Sequence, residues 1–149
     1  MSRKRIGVLH GVNLDQLGKR DPDVYGTFTL AELETRVHQW GYEQDCEVTF
    51  WQTNHEGEYC EMLHEARDRT DGLILNPGAW THYSYAIRDA IEVTGLPAVE
   101  VHISNIEGRD EWRRASVIRD LCIGHVHGKG VDGYREALEM LRAELGRGS

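Results

Sequence analysis

Positive charge, cysteine pairs, lysine and long apolar runs are all scarce in this chain, and each scarcity removes a class of function. Lys and Arg number 17 against 25 Asp and Glu, a formal charge of −8. That leaves no basic footprint for sequence-independent nucleic-acid binding, so an anionic ligand must be held by local groups. The three cysteines, Cys46, Cys60 and Cys122, are odd in number, widely spaced and without a CxxC pair. Such usage predicts reduced thiols in a cytoplasm-like compartment. No window approaches a membrane span. The opening MSRKRIGVLHG has too short an apolar run for a signal peptide and no small-residue cleavage site. The expectation is a cytoplasmic protein. No HExxH occurs, and no cysteine stands at ligand spacing from His125 and His127, which share one strand face. Lysine occurs only as Lys4, Lys19 and Lys129, none placed as a desolvated Schiff-base amine would be.

What is present is an ordinary globular composition, 40% hydrophobic and 28% charged over 149 residues. A chain of this length forms one domain burying about two thirds of its unfolded surface. RIGVLH (5–10), ended by Gly11, predicts a first strand, and 11–28 is irregular. Thr29 followed by Glu32 is a capping box; Leu30, Leu33, Val37 and Trp40 then share one helical stripe, with Gly41 closing the helix. EVTFWQ (47–52) predicts a strand and EYCEMLHEARD (58–68) a helix. GLILN (72–76), stopped by Pro77-Gly78, predicts a strand buried on both faces. A helix over 84–95, strands over 98–104 and 121–127, and a last helix over 131–145 complete the chain. Strands alternating with helices predict a parallel sheet covered on both sides. The expected fold is α/β: a flavodoxin-like, doubly wound, five-stranded parallel sheet in a single domain over 1–149.

In such folds ligands sit beyond the carboxyl ends of the strands, near the point where strand order reverses. That rule selects His10 and Asn13 after the first strand, Asn76 after the third, and 102–104 after the fourth. The loop leaving the first strand holds RDPDVYG (20–26), which Pro22 and Gly26 make too broken for helix or strand. Tyr25 there is either folded back for packing or carried as a catalytic phenol on a lid spanning about 18–28. A free phenol titrates near pH 10, and a guanidinium a few ångströms away supplies roughly one to three of the three units that separate it from neutrality. Arg20 therefore makes a tyrosinate base reachable.

Glu100 and His102 are two apart on a strand, so both point to one face. A carboxylate beside an imidazole orients the ring and favours its charged form, as a general acid requires; the alternative is a buried pair that satisfies itself. Asn76-Pro77-Gly78 and ISN (103–105) offer amides, a carboxamide and a hydroxyl that could hold a carboxylate. Arg109 and Arg113 form one cationic face if their segment is helical, and a solvated surface otherwise. GKGVDG (128–133) matches GxGxxG but opens the last βα unit, where no strand follows to bear a ribose-binding acid. Close helix–strand packing is the better reason for its glycines.

In their order along the chain, GVNLDQLGKRDPDVYG, NHEGE, LNPGAWTHYSYAIRDAI and VEVHISNIEGRDEWR resemble the type II 3-dehydroquinate dehydratases of the shikimate and quinate pathways. The resemblance covers about Ile6 to Leu141. It implies a flavodoxin-like fold, no metal or other cofactor, and trans-dehydration of 3-dehydroquinate to 3-dehydroshikimate through an enolate. By the same resemblance Tyr25 is the base, Arg20 the lid arginine that lowers its pKa, and Asn13 helps stabilise the enolate through a bound water. His102 protonates the departing hydroxyl, with Glu100 as its partner. Asn76, His82, Ile103, Ser104 and Arg113 hold the hydroxyls and carboxylate of a small anionic cyclic substrate. Asp89 serves a neighbouring subunit's site, in an assembly that is usually a dodecamer of trimers. The family's common Asn-Gly-Pro-Asn reads His10-Gly11-Val12-Asn13 here, and GHVHGKGVDG carries histidines and a lysine where the family is mostly apolar. These departures leave open an amino analogue or another cyclic β-hydroxy ketone acid as substrate. Two other classes stand beside the enzyme: a catalytically silent binding homologue, and a metal-dependent hydrolase built on His10, His125 and His127.

Overall fold

The structure is a computed structural model and describes residues 3–105 and 109–147; Ile106, Glu107 and Gly108 of the VEVHISNIEGRDEWR motif lie outside the described residues. In chain order the elements are β1 (Lys4–His10), α1 (Pro22–Tyr25), α2 (Leu30–Glu43), β2 (Cys46–Gln52), α3 (Glu56–Arg69), β3 (Gly72–Asn76), α4 (Tyr85–Thr94), β4 (Ala98–His102), β5 (Gly124–His127) and α5 (Asp132–Arg147). All five strands run parallel in one sheet, in the order β2-β1-β3-β4-β5. This is the flavodoxin-like arrangement expected from the alternation of elements.

Side-chain alternation along the strands divides the core in two. Ile6, Val8 and Ile74 point to the face covered by α2 and α5, where Leu33, Val37, Leu138 and Leu141 meet them. Leu9, Leu73 and Leu75 point to the opposite face, against Tyr59 and Leu63 of α3 and Ile87 and Ile91 of α4. Each fully buried side chain of this size contributes roughly 1.5–3 kcal/mol by leaving water. None of the described helices is long and apolar enough to cross a membrane.

Several local expectations are corrected. Gly41 does not close α2, which runs on to Glu43. It lies buried within the helix, where a Cβ would come 2.6 Å from Val48 Cγ2, so it brings α2 close onto β2. RDPDVYG is not wholly irregular, because Pro22–Tyr25 form a single helical turn. Pro22 fits its first turn, where no amide donor is needed, and Asp21 caps it by accepting the Asp23 N–H at 3.0 Å. β4 ends at His102 and not Ser104, and β5 begins only at Gly124, since Arg119–Leu121 make a 3-10 turn. Of the GKGVDG glycines only Gly133 packs helix against strand, with a Cβ position 3.3 Å from Val126; Gly128, whose Cβ position falls 3.1 Å from Asn105, and Gly130 take positive φ of 74° and 59° in the turn.

Candidate active site

β1 lies between β2 and β3, so strand order reverses beside it and the carboxyl ends of β1 and β3 flank a crevice. The register pairs His10 with Asn76 at that edge. Two loops leave it pressed together: a Cβ on Gly11 would fall 2.2 Å from Pro77 O, and one on Gly78 would fall 2.5 Å from Val12 O. Only glycine permits that approach. Above them opens a cleft of about 600 Å³, part of it open solvent, lined by Val12, Asn13, Leu14, Leu17, Arg20, Tyr25, Asn76, Gly78, Ala79, His82, His102, Ile103, Ser104, Arg109 and Arg113. A wider hollow lies among Lys4, Thr70, Asp71 and Glu144, but it sits at the opposite edge of the sheet from the strands' carboxyl ends.

Tyr25 ends α1, and its ring packs against the apolar cluster on the α2–α5 face. Packing and access to the cleft coincide in this residue: the packed ring fixes the phenol at the cleft. The Arg20 guanidinium lies over that ring, its central carbon 3.9 Å from the centroid. The phenol oxygen is held by a different residue: Arg109 Nη1 donates to it at 2.5 Å, and more distantly to Ser104 Oγ at 3.4 Å. Arg109 was visible in the sequence only as a possible helical partner of Arg113. That spacing does not hold, because the segment forms only a 3-10 turn over Glu111–Arg113, although both arginines line the cleft. Arg113 stacks on Trp112 at 4.2 Å and pairs with Asp110 at 3.9 Å; its buried Nε has no hydrogen-bond partner among the described residues. Three guanidiniums thus gather at one cleft of a chain carrying net negative charge.

On the β4 side, Glu100 and His102 share a face as their spacing requires. The Glu100 carboxylate is wholly buried and accepts from His102 Nε2 at 2.6 Å, Thr81 Oγ1 at 2.5 Å and Ser116 Oγ at 2.8 Å, with Arg119 Nε at 3.7 Å. Burial alone would raise its pKa. The hydrogen bond and charge of His102, with the Thr81 and Ser116 hydroxyls, outweigh that and bring it down to about 2. An ionised Glu100 accepts only, so His102 must carry its proton on Nε2. Thr81, Ser116 and Arg119 had no sequence signal, since each comes from a separate turn. His82 stacks 6.3 Å from His102 and donates from Nδ1 to Ala115 O at 2.6 Å; burial holds it below the usual imidazole range.

His10 is fully buried behind the cleft wall and is not part of its lining. Burial drops its pKa to about 3, so the ring is neutral. Its Nε2 lies 2.9 Å from the Tyr134 hydroxyl, which also accepts from Asn76 Nδ2 at 3.0 Å. Of the departures at the start of the loop, only Val12 reaches the cleft surface. Asn13, Arg20, Tyr25, Asn76, His82, His102, Ile103, Ser104 and Arg113 all line one cavity, with Glu100 directly behind His102. Asp89 stands apart, exposed on α4. His125 and His127 stack on each other with ring centroids 5.7 Å apart on β5. They form no ligand set with His10: among the described residues no three His, Cys, Asp or Glu side chains are grouped to hold a metal ion.

The chain is similar to known proteins over nearly its whole length. The family model described as "Dehydroquinase class II" matches residues 4–142. A protein of Thermotoga petrophila named 3-dehydroquinate dehydratase is 50% identical over 141 residues, covering 95% of this chain and 96% of its own. One of the same name from Bacillus pumilus is 50% identical over 139 residues, 93% and 95% of the two chains. The crystal structure of the type II dehydroquinase from Butyrivibrio crossotus superposes with a TM-score of 0.90 at 40% identity, covering 93% of this chain and 97% of that one.

Proposed function

The chain belongs to the class II dehydroquinase family, and we propose that it is a hydro-lyase that dehydrates 3-dehydroquinate to 3-dehydroshikimate with Tyr25 as base and His102 as acid. The observation that carries the reading is the pairing of each group with a charged partner at one cleft. Arg109 holds the Tyr25 oxygen, and Glu100 holds His102.

Dehydrating a β-hydroxy ketone requires removal of an α-proton and expulsion of hydroxide, a poor leaving group unless protonated. A phenolate is stabilised by a hydrogen bond from a guanidinium and by the field of a second one over its ring. Arg109 and Arg20 supply those two effects. The proton passes from the substrate carbon to the Tyr25 oxygen, and the electron pair moves onto the ketone oxygen as an enolate. Asn13, at the mouth of β1, helps stabilise that oxyanion through a bound water. Collapse of the enolate then expels the hydroxyl, which takes a proton from His102 Nδ1 and leaves the ring neutral with its Nε2 proton still donated to Glu100. Glu100, ionised and buried, keeps the imidazole oriented for that donation. Arg113, Ser104 and the Ile103 backbone suit a carboxylate, while Asn76 and His82 suit hydroxyls. The wall near Val12 is apolar and His10 is out of reach, so neither departure offers a group that would select an amino analogue.

The protein works as a homo-oligomer in this reading. Tyr85, Asp89 and Val93 recur every four residues on α4 and form one stripe, with Tyr85 70% and Val93 50% exposed. A second copy covering that stripe buries both apolar side chains and takes Asp89 to its own cleft. Adding 3-dehydroquinate and following the ultraviolet absorbance of a conjugated enone tests the activity directly. Growth of the enone at catalytic enzyme concentration is expected, and a flat trace would overturn the assignment.

A further inference from the structure

No residue of the NHEGE motif lines the cleft, yet its first residue holds the turn that carries Asn13. Asn13 lies at φ 68° and ψ 4°, in the left-handed region. Asparagine enters that region more readily than other residues with a side chain, and here the turn is held in it from two sides. On one side, Gly11 N–H donates to Asn76 O at 2.8 Å, and the Pro77-Gly78 turn presses on Gly11 and Val12. On the other side stands Asn54, just beyond β2. Its Oδ1 accepts the Asn13 backbone N–H at 2.8 Å, and its Nδ2 donates to Asp15 Oδ2 at 3.0 Å. Gln52 Nε2 braces both ends, 3.3 Å from Asn54 Oδ1 and 3.3 Å from Gly11 O. Asn13 occupies the N-cap position of the Leu14–Gln16 turn, but its carboxamide makes no capping bond. The side chain is left for the cleft, which Asn13 lines.

We propose that Asn54 is a positioning residue for the dehydration, fixing Asn13 in the left-handed conformation that presents its carboxamide to the water holding the developing enolate. The proposal rests on the assignment of Asn13 to the enolate above. A donor stabilises an oxyanion well only if it is already in place, within about 3 Å, before charge develops. Relaxation of Asn13 to an ordinary φ rotates its Cα–Cβ bond and carries the carboxamide away. Without the Asn54 acceptor the turn samples that relaxed form and must be reorganised in each turnover. The effect therefore falls on kcat and leaves ground-state binding nearly untouched.

The test is a double-mutant cycle with kcat, KM and melting temperature read for each variant. Asn13→Ala is expected to lower kcat about a hundredfold, the size typical of one lost oxyanion donor. Asn54→Ala should lower kcat about tenfold with KM within about twofold, and should cost less than about twofold more when added to Asn13→Ala. The exchange Asn54→Asp with Asp15→Asn keeps an oxygen for the Asn13 N–H and reverses the second hydrogen bond. It should restore kcat to within about threefold of the parent. A group that merely stabilises the fold would lower the melting temperature and leave kcat alone, and that result overturns the proposal. So does a full tenfold loss in the Asn13→Ala background. If Asn13→Ala itself keeps normal kcat, the enolate assignment fails and the Asn54 proposal falls with it. If only Asn54→Ala does so, the proposal falls alone.

Discussion

Arg109 meets Tyr25 end-on, its Nη1 2.5 Å from the phenol oxygen, while Arg20 lies across the same ring with its guanidinium carbon 3.9 Å from the centroid. The two cations act on different parts of one side chain. A hydrogen bond to the oxygen favours the phenolate directly, because the charge resides there. A cation over the ring face acts through the field and through packing, and fixes the ring plane.

Tyr25→Phe is therefore expected to lose at least about a hundredfold in kcat while KM changes little, since the ring stays and the proton acceptor goes. Arg109→Ala and Arg20→Ala should each lower kcat, Arg109→Ala the more because it alone touches the oxygen. Steady-state kinetics of the three variants check both statements. Tyr25→Phe with most of its activity intact would remove the phenol from the mechanism.

Glu100 links acid stability to the same site. Its folded pKa, about 2, lies below the ordinary 4.5, so the native state binds fewer protons there than the unfolded chain does. The group's contribution to stability is fully present above about pH 4.5 and is lost as pH falls toward about 2. The difference in pKa corresponds to roughly 3 kcal/mol. Denaturant unfolding of the wild type and Glu100→Gln at pH 7 and near pH 2.5 measures it. Glu100→Gln should be destabilised at neutral pH by an amount that shrinks on acidification. A constant gap between the two proteins would show that ionisation of Glu100 is not the source.

Much of this was legible in the sequence. β1 and β3 could be read to their ends because each stops at punctuation that physics enforces, Gly11 after the first and Pro77-Gly78 after the second. Parallel order then put His10, Asn76 and His102 on one edge before any side chain was placed. What escaped was whatever depends on distance across the fold. Arg109 is 84 residues from the Tyr25 it contacts, and Thr81 and Ser116 reach Glu100 from separate turns. Gly41 misled because a glycine in a helix can mean either an end or a tight contact, and only Val48 on the facing strand decides which. His10 looked like a change in the site because it precedes Asn13 by three residues. A strand alternates its faces, and the ring went to Tyr134 in the core.

Asp89 tests the assembly. Tyr85→Asp places a charge in the α4 stripe and should convert the oligomer to smaller species by sedimentation, with kcat falling alongside. Asp89→Ala should leave the assembly intact and raise KM or lower kcat by about tenfold, the size of a lost polar contact to charged or hydroxylated substrate. A fully active monomer in either the parent protein or Tyr85→Asp would remove the neighbouring subunit from the reaction.

The last prediction separates two routes to the same product. An imine route joins the substrate ketone to a lysine amine, loses water and uses the resulting cation as an electron sink. An enolate route leaves the ketone oxygen in place and stabilises its charge with donors. Lys4 sits among Arg3, Glu47 and Asp71 at the far edge of the sheet, Lys129 is paired with Glu136 at 2.6 Å, and Lys19 is exposed; none of the three lines the cleft. Borohydride with substrate should accordingly leave activity and protein mass unchanged, and a reduced adduct on any lysine would overturn the enolate route. Within that route the two proton transfers belong to different residues. His102→Ala should slow expulsion of the hydroxyl far more than exchange of the substrate α-proton with solvent deuterium, because Tyr25 and its arginines remain. The exchange rate, followed by mass spectrometry of recovered substrate, should stay within about threefold of the parent while product formation falls about a hundredfold or more. Equal loss of both rates would mean that His102 serves the deprotonation as well, and the division between Tyr25 as base and His102 as acid would fail.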